Sequence, residues 1–345
     1  MRHLSNVMKN NKKLLVFLFI AMVCGNVTAK ELLEVPIGIS PVMSSAAMFI
    51  ARDRGYFEEQ GIKPVINPFK ASGAKMVPFL ATGQLFVGGG NINAGMYNAI
   101  AQDIPIKIVS DKGTVSPGHG YLGLIVRKDH FDSGRYKDFG DLQGMTMAVT
   151  AKGVSQQIVT EMFLHKAGLS LKDIKLVYLG YSDMNIALAN GSIDATIQIE
   201  PFVAAAVDNN IAVRVAGDDE VYPNQQSAAI YYSPVFMQKY PEQAKGFMVA
   251  YVKGLRDYND AFEKNMGKDA VIKILTRNTR IRDAKIYQKV VPVGLSPDGL
   301  VNIESLKQDA NWYFKKGFVK KKPDIDSIVD LSYAKAAVKV LGAYR

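Results

Sequence analysis

Polar and aromatic side chains recur in this chain just after short apolar runs, where a strand would end and a helix begin. Such positions place hydroxyls and free backbone N–H groups around a common point, which suits the capture of a small molecule. Ser40-Pro41-Val42-Met43-Ser44 follows the apolar run Val35–Ile39. Its hydroxyls, on Ser40 and Ser44, could cap a helix or meet a ligand, and Met43 could wall a ligand ring. Phe69-Lys70-Ala71-Ser72-Gly73 repeats the arrangement after Val65–Asn67, with Lys70 as a cation and Ser72 as cap or contact. Gly88-Gly89-Gly90-Asn91-Ile92-Asn93 follows a third run. Glycines there, Gly90 included, would let backbone approach a bound group, Asn91 can donate and accept at once, and Asn93 opens the next helix.

The same chemistry appears again further along. Thr150-Ala151-Lys152-Gly153-Val154-Ser155 offers the Thr150 and Ser155 hydroxyls, and Tyr181 and Asp183 flank Ser182 before another helix. Glu200-Pro201-Phe202 closes a final strand. The Glu200 carboxylate could accept from a ligand amine or ring N–H, or serve as a helix-terminal charge or hinge contact; Phe202 could stack on a ring. Gly118-His119-Gly120-Tyr121-Leu122-Gly123 fits the spacing G-x-G-x-x-G, but it leads into the strand-like Leu124–Val126 and not into a helix. The dinucleotide mechanism behind that spacing is therefore missing. It reads as a flexible interlobe segment, with His119 and Tyr121 either structural or within reach of a cleft. No P-loop, H-E-x-x-H or G-x-S-x-G is present, and His119, His130 and His165 are too widely spaced for a visible metal site or triad.

The elements that must hold these residues alternate between strand and helix. Strands are expected at Val35–Ile39, Val65–Asn67, Leu85–Val87 and Ile106–Val109, with helices at Ser44–Arg54, Ser72–Ala81 and Asn93–Gln102. A second copy has strands at Thr146–Val149, Leu176–Leu179 and Ile193–Ile199, and helices at Ser155–Ala167 and Ser182–Ala189. Pro78 should bend or shorten its helix. Two β-α-β-α-β units joined by strand-like crossings at Tyr121–Val126 and Ala228–Tyr232 imply an α/β protein. It should have two lobes, each a mostly parallel sheet flanked by helices, with a cleft between them. Beyond Pro241 the pattern is mainly helical.

Of the 345 residues, 48% are hydrophobic and 21% charged, which excludes a disordered chain and allows one or two sizeable cores. The single cysteine, Cys24, excludes an intramolecular disulfide and a Cys-based metal site. Arg2, Lys9, Lys12 and Lys13 precede the apolar run Leu14–Val23, and Val27-Thr28-Ala29 supplies small residues at a cleavage site. This is the three-part export signal, its apolar run being too short to span a membrane. Cleavage after Ala29 is the expectation; lipid anchoring at Cys24 is the alternative, against which stands the branched Val23. The first 29 residues hold four of the 42 Lys and Arg and none of the 32 acids, so the mature chain keeps an excess of six cations. That excess is too diffuse to argue for nucleic acid.

Several segments carry a family resemblance. Ile50-Ala51-Arg52-Asp53-Arg54-Gly55-Tyr56-Phe57-Glu58-Glu59-Gln60-Gly61-Ile62 resembles the first helix and turn of exported solute-binding proteins of the nitrate/sulfonate/taurine and thiamine-precursor-binding (SsuA/THI5-like) family. Leu80-Ala81-Thr82-Gly83-Gln84 is similar to that family's step before its third strand, and Gly168–Phe202 is the strongest match. Asn302–Leu306, Gly317-Phe318-Val319 and Asp330-Leu331-Ser332 resemble its closing region. Leu85-Phe86 departs from the family, which usually carries an acid there.

The resemblance implies a type II periplasmic-binding-protein-like fold: a signal peptide over 1–29, lobe one over 30–121, lobe two over 122–227, and a return to lobe one with C-terminal helices over 228–345. It also implies a monomeric periplasmic receptor that delivers its solute to an ABC importer permease, with no catalysis and no cofactor. An enzyme reading, a thiamine-pyrimidine synthase of the same fold, would need bound pyridoxal phosphate, an anchoring lysine and a cysteine-rich segment, and the mature chain has no cysteine. Lys70, Lys112 and Lys152 beside Glu200, Asp183 and several aromatics favour a larger, partly aromatic or heterocyclic solute. A compact anion such as nitrate or an alkanesulfonate is the alternative.

Overall fold

The computed structural model describes residues 31–69, 73–102 and 104–345. The expected signal peptide, Cys24, Lys70 and Ser72 lie outside the described residues. Ten strands form two five-stranded sheets. The first holds β1 (Leu33–Ile39), β2 (Ile62–Pro68), β3 (Val87–Asn91), β4 (Lys107–Thr114) and β10 (Gln226–Tyr232) in the order β2-β1-β3-β10-β4. The second holds β5 (Leu122–Arg127), β6 (Thr146–Val149), β7 (Lys175–Tyr178), β8 (Ala195–Ile199) and β9 (Ala212–Gly217) in the order β7-β6-β8-β5-β9.

The two sheets follow one plan. Each has a parallel three-strand half, and each takes one antiparallel strand next to its edge, β10 in the first and β5 in the second. These are the two expected crossings; each leaves one lobe and enters the other's sheet as a full strand. Parallel strands need helical crossovers, supplied in lobe one by α1 (Ala46–Asp53), α2 (Val77–Ala81) and α3 (Ala94–Ile100). In lobe two, after the short α4 (Lys128–Asp132), α5 (Ser155–His165), α6 (Tyr181–Ala189) and α7 (Phe202–Asp208) do the same. Pro78 lies in the first turn of the five-residue α2, where its missing N–H costs nothing.

Gly88, Gly89 and Gly90 are buried strand residues of β3 and not the loop the sequence suggested. A Cβ on Gly88 would stand 2.9 Å from Leu80 Cδ1, and one on Gly89 would stand 3.0 Å from both Ile39 Cγ2 and Lys112 Cδ. The missing side chains let α2 and the Lys112 stem pack flat on the sheet.

The C-terminal third is a helical wrap: α8 (Pro234–Lys239), α9 (Pro241–Phe262), α10 (Lys268–Asn278), α11 (Ala284–Tyr287), α12 (Ile303–Lys315), α13 (Ile325–Ile328) and α14 (Ser332–Leu341). The 22-residue α9 lies on α1 so closely that a Cβ on Gly254 would meet the Ala47 carbonyl oxygen at 2.2 Å. Helix α10 also packs on α1, whereas α11 packs on α7, where Ile286 buries against Ala204 and Ala205. The segment 279–291, which includes α11, is therefore a strap from lobe one to lobe two, which sequence periodicity did not show. Its far side is tied by a Lys289–Asp208 ion pair.

Candidate ligand-binding site between the lobes

The carboxyl ends of β1, β3, β6 and β8 point toward the space between the sheets, so the loops after them face one another. At the base they are joined. Asn93 and Val154 form an antiparallel bridge, Ala94 N–H donates to the Gly153 carbonyl at 2.9 Å, and Ser155 N–H donates to the Ile92 carbonyl at 3.1 Å. On one side Met43 N–H donates to the Glu200 carbonyl at 3.1 Å.

Between these ties Tyr181 occupies the deep cleft. Asn91 Nδ2 of lobe one approaches its hydroxyl at 3.4 Å, and the Thr150 hydroxyl of lobe two bonds it as well. Burial pushes the Tyr181 phenol up to about 12, so it stays a neutral donor. Thr150 in turn is held by Gln156, whose amide donates to the Ile197 carbonyl at 2.8 Å.

Outside Tyr181 lies a cavity of about 120 Å³ lined by Ser40, Pro41, Val42, Phe69, Gly180, Tyr181, Ser182, Asp183, Phe202 and Arg280. At about 30 Å³ per water it has room for roughly four waters or one compact solute. One wall is aromatic: the Tyr181 and Phe202 rings lie 6.4 Å apart, within 13° of parallel. Asp183 stands in the first turn of α6, where a carboxylate suits the helix dipole. Arg280 comes from the strap after α10, a contribution that no strand-end pattern could reveal.

The structure sorts the residues singled out in the sequence. Ser40, Tyr181, Asp183 and Phe202 line the cavity, with Asn91 and Thr150 bound to Tyr181 behind it. Met43, expected to wall a ligand ring, has no exposed surface and belongs to the lobe-one core, because the turn over Met43–Ser45 folds it inward. Ser44 accepts a hydrogen bond at 2.8 Å from the wholly buried Lys112. Burial pushes that ammonium down to about 7.

Asn93 caps α3 through Met96 N–H at 2.9 Å, and Gly90 accepts from Tyr231 through its carbonyl at 3.1 Å. Ser155 donates to the Ser227 carbonyl at 3.0 Å, beside the crossing, and Tyr121 bonds the Ser227 hydroxyl there. His119 lies elsewhere, at a separate cavity of about 490 Å³ behind the crossing, with Nδ1 3.7 Å from Glu263.

Glu200 turns away from the cleft. Its carboxylate accepts from Ala204 N–H at 3.0 Å in the first turn of α7 and from Val291 N–H at 3.2 Å in the strap, with Arg214 Nη1 3.5 Å away. Burial pushes it up to about 7 despite these donors. It ties lobe two to the strap.

A two-lobed α/β body with an aromatic and polar cavity at facing strand ends has the architecture of a periplasmic binding protein. The NMT1-like family model matches residues 28–275, and the chain belongs to that family. It is 25% identical over 327 residues to a Bacillus subtilis (strain 168) protein named "Putative aliphatic sulfonates-binding protein", covering 90% of each chain. It is 23% identical over 301 residues to a Haemophilus influenzae protein named "Putative thiamine biosynthesis protein", covering 79% of this chain and 90% of that one. Among solved structures it resembles the alkanesulfonate-binding protein SsuA of Xanthomonas axonopodis pv. citri bound to MOPS. The TM-score is 0.70 at 19% identity, over 88% of this chain and 99% of that one.

Proposed function

We propose that the protein is an exported solute receptor that captures a compact organic solute between its lobes and passes it to an ABC importer permease. The single observation that carries this reading is the cavity built jointly by the loop after β1, the start of α6, Phe202 and the strap. A ligand touching all of them favours the closed arrangement, and only that difference in affinity can drive closure. The named sulfonate-binding relative supports the importer role, and the type II plan supports lobes over 30–121, 122–227 and 228–345, with 1–29 removed on export into the periplasm.

The aromatic wall of Phe69, Tyr181 and Phe202 supports a solute with an apolar or ring portion, and the small volume supports a compact one. We take the receptor to act as a monomer without a cofactor. Lys112, the lysine whose depressed pKa would suit a Schiff base, is 2% exposed and does not line the cavity. This favours binding over the pyrimidine-synthase reading, for which the thiamine-biosynthesis name of one relative is the supporting observation.

Mass spectrometry of the solute that co-purifies from native expression, followed by calorimetry and X-ray scattering with it, tests the proposal. A one-to-one complex more compact than the free protein is expected. Product accumulation, a Schiff-base absorbance band or binding without compaction would refute it.

A further inference from the structure

The cavity of about 490 Å³ behind the crossing shares no lining residue with the cleft cavity. Both chain connections between the lobes contribute to it: Ser116 and His119 from the segment between β4 and β5, and Asn224 from that between β9 and β10. Asn259 of α9 and Glu263, just beyond that helix, also line it. Backbone groups hold its frame. Thr114 N–H donates to the Gly294 carbonyl at 2.8 Å, and the Asn302 amide donates to the Asn224 carbonyl at 2.8 Å. At about 30 Å³ per water the space would hold roughly 16 waters, or a solute with a six-carbon chain.

Among the described residues lining this cavity, Glu263 is the only acid, and there is no lysine or arginine. The Glu263 carboxylate accepts no hydrogen bond among the described residues. His119 Nδ1 stands 3.7 Å from it, beyond hydrogen-bond reach, and is itself buried without a partner. Asn259 lies four residues before Glu263, on the same helical face. Its amide donates to the Leu255 and Leu295 carbonyls at 2.8 and 3.0 Å, which leaves Oδ1 as an acceptor. The Ser116 hydroxyl and the Asn224 side-chain amide make no hydrogen bond among the described residues.

A carboxylate without a cation, beside uncommitted amide and hydroxyl groups, matches a solute that carries one ammonium and several hydroxyls. A plain alkylamine would leave the amides and the hydroxyl unmatched, and a neutral polyol would leave the carboxylate so. We propose that this cavity is a second binding site, for a polyhydroxylated primary amine. The ammonium donates to Glu263 and to Asn259 Oδ1, and the hydroxyls bond Ser116 and Asn224. This assignment does not depend on what the interlobe cleft binds.

Calorimetry on the purified protein at pH 7 with three six-carbon probes tests it: D-glucamine, which has the ammonium and the hydroxyls, D-sorbitol, which lacks the ammonium, and hexylamine, which lacks the hydroxyls. D-glucamine is expected to bind at least tenfold more tightly than either of the others. Glu263→Gln should lower its affinity at least tenfold, and Ser116→Ala about threefold, with both variants melting as the wild type does. A crystal structure with D-glucamine should place its nitrogen within hydrogen-bond distance of Glu263. The proposal is overturned if D-glucamine does not bind, if sorbitol or hexylamine binds as tightly, if Glu263→Gln keeps the wild-type affinity, or if the crystal places the amine beside Tyr181 and Phe202 in the cleft. None of these outcomes bears on the receptor reading, which stands or falls with the solute that co-purifies.

Discussion

The two halves of the cleft are built on opposite principles. In the deep half, polar groups are mostly matched by other protein groups: Asn91 to Tyr181, Met43 N–H to the Glu200 carbonyl and Ser155 to the Ser227 carbonyl across the lobes, and Tyr181 to Thr150 within lobe two. In the outer half, aromatic faces and two opposite charges surround about 120 Å³ of space without meeting. Buried polar groups that satisfy one another define a structure, whereas unmatched groups around a cavity define what is missing from it. Substitutions should therefore cost stability in the first half and ligand affinity in the second.

The sharpest break in that contrast is expected at Glu200. Removing its carboxylate with Glu200→Ala would leave the N–H groups of Ala204 and Val291 without acceptors. At about 1–3 kcal/mol for each unsatisfied buried group, the loss should be about 3 kcal/mol, measured by urea unfolding. Glu200→Gln keeps an acceptor and should cost much less. If the alanine variant were as stable as wild type and lost ligand binding, Glu200 would belong to the outer half.

The pH dependence separates the same groups. Glu200 is raised to about 7 from 4.5, as is Asp309 from 3.8. Both fold best protonated, so their contribution is complete below the unfolded value and is lost as pH rises toward about 7. Lys112, lowered from 10.5 to about 7, acts in reverse: its contribution is complete above 10.5 and is lost as pH falls toward 7. Unfolding free energy should fall from pH 5 to 7 and recover from pH 7 to 10. Glu200→Gln should flatten part of the first limb, and Lys112→Met the second.

A smaller effect is expected at Asn91, which joins the lobes through a long 3.4 Å contact. Asn91→Ala should remove about 1 kcal/mol, near the net worth of one hydrogen bond, chiefly from the closed arrangement. Ligand affinity should fall about fivefold, with a more open free protein by scattering, because 1 kcal/mol is roughly a factor of five in an equilibrium.

What was legible in the sequence follows the same division. Strand and helix starts were readable because local patterns fix them: β6 begins and ends where its apolar run does, and Ser155 opens α5 as expected. Tyr181, Asp183 and Phe202 were singled out because they stand at or beside helix starts after strands, and all three line the outer cavity. The glycines of β3 were misplaced because glycine-rich runs usually turn, and only the packing of Leu80 and Lys112 shows why a strand needs them. The direction of Glu200 and the place of Arg280 depend on the strap that follows α10, and no local pattern encodes where such a segment crosses between lobes.

Asp183 and Arg280 supply the smallest stability effect and the most direct check on the comparison. Both are exposed and unpaired, so D183N and R280Q each remove a charge that no folded-state contact uses. Such surface changes usually stay within about 0.5 kcal/mol of wild type, and both variants should unfold within that margin of the parent in urea. Asp183 also sits in the first turn of α6, where a carboxylate gains a few tenths of a kcal/mol from the helix dipole. D183N should therefore be the slightly less stable of the two, a difference that salt reduces by screening. A loss above about 1 kcal/mol in either variant would show that the charge has a structural partner and that the outer half, like the deep one, is already satisfied by the protein itself.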